Sequence, residues 1–96
     1  MNRDEIAARL SAHHADILGF GVASLKLFGS HSRDQARPDS DVDFLVAFDP
    51  PVTFDRYMDL KFFLEDVLAR RVDLVTEGGL RPELRPHIEQ DAVRVA

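Results

Sequence analysis

Asp41 and Asp43 stand one residue apart in the segment Asp41-Val42-Asp43-Phe44-Leu45-Val46-Ala47-Phe48. On a strand, residues two apart point to the same face. The two carboxylates therefore project together, while Val42, Phe44, Val46 and Phe48 form an apolar stripe on the other side. Ionised carboxylates held side by side repel one another. A divalent cation removes that conflict, and hard oxygen donors select Mg²⁺ or Mn²⁺ over softer metals. The segment Val72-Asp73-Leu74-Val75 repeats the alternation. Were this strand to pair beside the first with its apolar stripe aligned, Asp73 would join the other two. Three carboxylates on one sheet face can hold two metal ions about 3.5–4 Å apart, an arrangement suited to in-line displacement at phosphorus.

Upstream, the apolar run Ser24-Leu25-Lys26-Leu27-Phe28 ends in Gly29-Ser30. Glycine allows close backbone approach to a phosphate, and free N–H groups at a helix start attract anions. The Ser30 hydroxyl can add a hydrogen bond, and Arg33 offers a bidentate fork for another phosphate oxygen. Ser40, beside the aspartate pair, suits a phosphate ligand or a capping residue equally well.

Gly29-Ser30, ten residues, then Asp41-x-Asp43 reproduces the pattern GS-x10-D-x-D. With its flanks, Leu27 to Arg33 and Arg37 to Asp43, the stretch resembles the minimal nucleotidyltransferases of the DNA-polymerase-β-like superfamily, which occur as antitoxins paired with HEPN-domain toxins. The resemblance runs on through Asp73 to Arg81-Pro82. It implies a polymerase-β-like nucleotidyltransferase fold. It further implies that Asp41, Asp43 and Asp73 bind two Mg²⁺ ions, with Asp73 helping to deprotonate an acceptor hydroxyl. Gly29, Ser30 and Arg33 would contact the triphosphate of ATP. The implied reaction is transfer of AMP to a tyrosine of a HEPN-type RNase toxin, which neutralises it. His31 departs from the family pattern, since many relatives carry a basic residue there.

The elements that must position these groups can be read from periodicity. A helix is expected from Arg3 to Leu18, with Ile6, Leu10, Ile17 and Leu18 at helical spacing and Asp4 and Glu5 in its first turn. Gly19 and Gly21 end it. Strands are expected at Val22–Phe28, Val42–Phe48 and Arg71–Thr76, and a short last one at Ala92–Val95. His31 to Ala36 reads as a single helical turn closed by Pro38. Thr53 to Arg70 reads as a long helix capped by Thr53. After a turn at Gly78-Gly79, Leu80 to Gln90 reads as a weaker helix that tolerates Pro82 and bends or shifts at Pro86. This order predicts an α/β (α+β) domain, a small mixed twisted sheet of three to four strands with helices on one face.

The 96 residues fit a single domain, 1–96. The formal net charge is −5 and the basic residues are scattered. Nucleic acid is therefore not indicated as the main partner, because duplex binding needs a clustered basic footprint. With no cysteine, disulfides, zinc-thiolate sites and cysteine nucleophiles are excluded. No leader-like stretch opens the chain, and no segment approaches the roughly 18–20 apolar residues of a membrane span. A soluble, cytoplasmic protein without membrane partners is expected.

His13, His14 and His87 read as surface or packing residues, and His31, beside the phosphate loop, as a lesser candidate for nucleotide contact. In the long helix, Tyr57, Leu60, Leu64, Val67 and Leu68 make the stripe expected on the sheet. Phe54, Met58 and Phe62 form a second stripe, which the C-terminal helix is expected to cover; the alternative is a docking surface. Two other functions fit the residues. One is a non-catalytic antitoxin that occludes its partner, and the other a nucleotidyltransferase with a small-molecule acceptor.

Overall fold

The computed structural model describes residues 2–33, 35, 37 and 40–96. Its order is α1 (Arg3–Ala12), α2 (His14–Gly19), β1 (Val22–Phe28), a 3₁₀ turn (Gly29–His31), β2 (Val42–Phe48), α3 (Phe54–Leu68), β3 (Val72–Thr76), a second 3₁₀ turn (Glu77–Gly79), α4 (Arg85–Asp91) and β4 (Val93–Arg94). The four strands form one mixed sheet in the order β3-β2-β1-β4. β1 runs antiparallel to β2 and β4, and β2 runs parallel to β3.

The sheet has two unlike faces because its strands alternate. Leu25, Leu27, Val42, Phe44, Val46, Val72 and Leu74 meet Ile6, Leu10 and Ile17 of α1 and α2 and Leu60, Leu64 and Leu68 of α3 in one buried core. Burying a side chain of this size contributes about 1.5–3 kcal/mol. The opposite face carries Asp43, Leu45 and Asp73, and Leu45 is fully buried there. A bulge between Val22 and Ser24 keeps both ends of β1 in phase with that core.

Four differences from the expected elements have local causes. The first helix breaks at His13, whose φ of −114° and ψ of 22° are not helical. Ile6, Leu10 and Ile17 leave no apolar residue at 13 or 14, where an unbroken buried stripe would need one. The break instead buries Ile17 and sets the His13 ring edge-on to Phe63 at 5.7 Å. α4 begins at Arg85 rather than Leu80, since Pro86 has no N–H to donate and is accommodated only in a first turn. α3 begins after its Thr53 cap, which accepts from the Arg56 N–H at 3.2 Å, and stops at Leu68, with Ala69 left-handed at φ 53°. The helical turn expected over His31 to Ala36 is a 3₁₀ turn over Gly29–His31; Ala36 and Pro38 lie outside the described residues.

α3 also corrects an expectation about coverage. Phe54 is 75% exposed and Phe62 is 58% exposed, so α4 does not cover the second apolar stripe. The short helix lies beside β1 instead.

Candidate active site

The parallel register of β2 and β3 sets Asp43 directly beside Asp73, flanked by the pairs Val42–Val72 and Phe44–Leu74. Neighbouring strands lie about 4.8 Å apart, so the two carboxyls share one patch of the open face. On the other side of Asp43 stands Phe28, the last residue of β1. The chain turns there at Gly29, where φ is +75°. A Cβ at this position would run into the Asp43 carboxylate, whose Cγ would lie only 3.2 Å away. Glycine is thus required twice, by its left-handed backbone and by the carboxylate seated against it.

The turn after Gly29 is braced from within. The Gly29 carbonyl accepts from the Ser32 N–H at 3.2 Å and from the Ser32 hydroxyl at 2.8 Å. Ser32 is buried, and its own carbonyl accepts from Arg3 at 3.4 Å. The Ser30 carbonyl accepts from the Gln35 N–H at 2.9 Å. His31 is 1% exposed. Burial, then the Arg70 charge, hold its pKa below the usual value. Nδ1 has no hydrogen-bond partner among the described residues.

The electrostatics of the patch centre on Asp43. Its carboxyl is pushed up to about 6, first by burial and then by the charges of Asp73 and Asp41, with Arg33 opposing. An aspartate held back from ionising by two neighbouring carboxylates fits a hard dication, which would relieve all three at once. Asp41, just ahead of β2, is drawn aside, with its Oδ1 3.2 Å from Arg71 Nε. Among the described residues, no three acidic or histidine side chains are gathered into a metal-binding group.

Other sequence candidates are placed differently from their expected roles. The Arg33 guanidinium bonds Asp91 of α4 at 2.7 Å and Gln35 at 3.2 Å. It would have to leave one of them to grip a phosphate. Ser40 closes a turn with Arg37, its hydroxyl accepting from the Arg37 N–H at 3.1 Å and its own N–H donating to the Arg37 carbonyl at 3.0 Å. Sequence reasoning passed over Arg71, whose signal was its offset of two residues before Asp73, equal to that of Asp41 before Asp43. A pocket of about 460 Å³ at the far end of β2, lined by Phe48, Val52, Thr76 and Gly78 among others, is remote from the carboxylates.

A Gly-Ser turn thus abuts carboxylates on adjacent strands of a mixed sheet. The model of the nucleotidyltransferase domain family matches residues 7–95. The chain belongs to that family. It is 36% identical over 93 residues to the protein adenylyltransferase MntA of Thermococcus cleftensis, covering 96% of this chain and 94% of that one. A solved minimal nucleotidyltransferase superposes with a TM-score of 0.86 at 39% identity, covering 97% of this chain and 95% of the other. A toxin–antitoxin structure with AMP-PNP shares the fold at a TM-score of 0.72 and 20% identity, covering 100% of this chain and 73% of its counterpart. No helix among the described residues is long and apolar enough to cross a membrane.

Proposed function

We propose that this chain is a single-domain, cytoplasmic antitoxin that moves AMP from ATP onto a hydroxyl, a tyrosine's, of a cognate HEPN-type toxin and so silences it. The observation that carries the reading is the pairing of Asp43 with Asp73 across β2 and β3, against Gly29. Two relatives lend support. The Thermococcus protein is named a protein adenylyltransferase. A structure of the same fold, at 18% identity and a TM-score of 0.69, holds a tri-AMPylated Shewanella oneidensis HEPN toxin with its MNT antitoxin.

In this reading Asp41, Asp43 and Asp73 hold Mg²⁺, which when bound offsets the charge on the transferring phosphoryl group. The Gly29-Ser30 turn seats the triphosphate, with backbone approaching closely where no side chain intervenes. The acceptor oxygen attacks the α-phosphorus while the bond to pyrophosphate breaks. Asp73, the exposed carboxylate of the pair, takes the acceptor proton. Catalysis then rests on positioning and on charge stabilisation rather than on a covalent enzyme intermediate.

A second reading, neutralisation by contact alone, is favoured by the bare Phe54 and Phe62 face. One experiment separates the two. The co-expressed partner is incubated with this chain, ATP and Mg²⁺, and its intact mass is measured beside an Asp41→Ala/Asp43→Ala control. A gain of one or more AMP masses with the intact chain only is the expected result. A tight complex with no mass change refutes transfer and leaves occlusion.

A further inference from the structure

Arg71 and Asp41 stand at matching places, one residue ahead of β3 and of β2. The parallel pairing of Val42 with Val72 sets them side by side, and the Val42 N–H donates to the Arg71 carbonyl at 3.0 Å. Arg71 Nε lies 3.2 Å from Asp41 Oδ1. Asp43 and Asp73 are direct partners, yet the described residues contain no assembled group of three metal-ligating side chains. Asp41 thus already has a cation beside it.

That cation is easily displaced. Arg71 is 80% exposed and Asp41 49% exposed, and an exposed pair of this kind contributes little. We propose that Arg71 is an exchange residue, holding Asp41 in the metal-free chain, yielding it to Mg²⁺, and then taking a phosphate oxygen of the incoming nucleotide. The inference rests on the nucleotidyltransferase reading of the three aspartates. Reach is what permits the exchange. A metal held by Asp41 would draw phosphate oxygens toward that carboxylate, and the Arg71 guanidinium starts beside it. A planar fork suits phosphate as well as carboxylate. The exchange keeps the acidic face neutralised before loading and the triphosphate gripped afterwards.

The test compares the intact chain with Arg71→Ala, and with Arg9→Ala, an exposed residue of α1 that carries the same change of net charge. Mn²⁺ binding is read by electron paramagnetic resonance. Binding of a non-hydrolysable ATP analogue with Mg²⁺ is read by calorimetry. Arg71→Ala should bind Mn²⁺ about two- to five-fold more tightly without nucleotide, the scale of an exposed ion pair. It should bind the Mg²⁺-loaded analogue about tenfold more weakly, the scale of a charge-assisted hydrogen bond. Arg9→Ala should change neither. The opposite signs are the signature, since a merely structural role weakens both. Unchanged or weaker Mn²⁺ binding in Arg71→Ala, undiminished analogue binding, or equal tightening in Arg9→Ala overturns the exchange while the carboxylate site stands. An intact chain that binds no Mn²⁺ overturns the site reading and the exchange together.

Discussion

Asp43→Asn removes the carboxyl whose ionisation the fold most resists. Burial, then Asp73 and Asp41, raise its pKa from 3.8 to about 6. Each tenfold gain in proton affinity corresponds to about 1.36 kcal/mol, so a roughly hundredfold gain sets a ceiling of about 3 kcal/mol. Asp43 keeps contact with solvent, and screening brings the effective figure to about 1 kcal/mol. The sign follows from linkage. The folded chain holds this proton more tightly than the unfolded one, so the stabilising contribution is complete below the unfolded pKa and is lost as pH rises through about 6. Ionised Asp43 therefore destabilises the metal-free chain in mild alkali, and asparagine does not. In EDTA near pH 8 the variant should melt about 4–8 °C above the parent, and the gap should close by about pH 4. Thermal unfolding followed by circular dichroism across that range is the assay. Added Mg²⁺ should invert the order near pH 8, because binding to the native parent stabilises it by mass action, while the variant loses transfer. An asparagine variant melting at or below the parent near pH 8 in EDTA refutes the account of Asp43.

Gly29→Ala should cost about 1–3 kcal/mol, from the strained left-handed backbone and the clash with Asp43. A double-mutant cycle with Asp43→Ala should recover the steric part of that loss, and strict additivity of the two changes argues against the contact. Phe62→Glu, at a position 58% exposed, should alter stability by no more than about 0.5 kcal/mol. It should nonetheless weaken the complex with the partner in a pull-down; an undiminished complex removes the α3 face from the interface.

The strands were the most legible elements. β2 begins at Val42 and ends at Phe48 as read from the sequence, because period-two alternation and Pro50-Pro51 set its limits. β1 matches over Val22–Phe28 for a similar reason, with glycines on both flanks. Helices were less legible where local rules compete. Helical spacing from Ile6 to Ile17 predicts one rod, and the missing apolar residue at 13 and 14 breaks it in two. Near the C-terminus two prolines offered two starting points, and only the second became a first turn.

The sequence alone decided which side of each strand would enter the helix-covered core, since alternation is a property of the strand itself and needs no neighbour. It also set the Gly-Ser turn and the aspartate pair at a fixed spacing. Register belonged to the tertiary structure. Asp73 stands beside Asp43 because Val42, Phe44, Val72 and Leu74 enter the same core, and a slip by one residue would have turned Asp73 away. The partners of Arg33 and Arg71 were decided there too. Asp91 lies 58 positions from Arg33, and Asp41 reaches Arg71 only across two strands. Charges so far apart in the chain attract measurably only after packing has closed the loop between them, so no local pattern could announce those pairs.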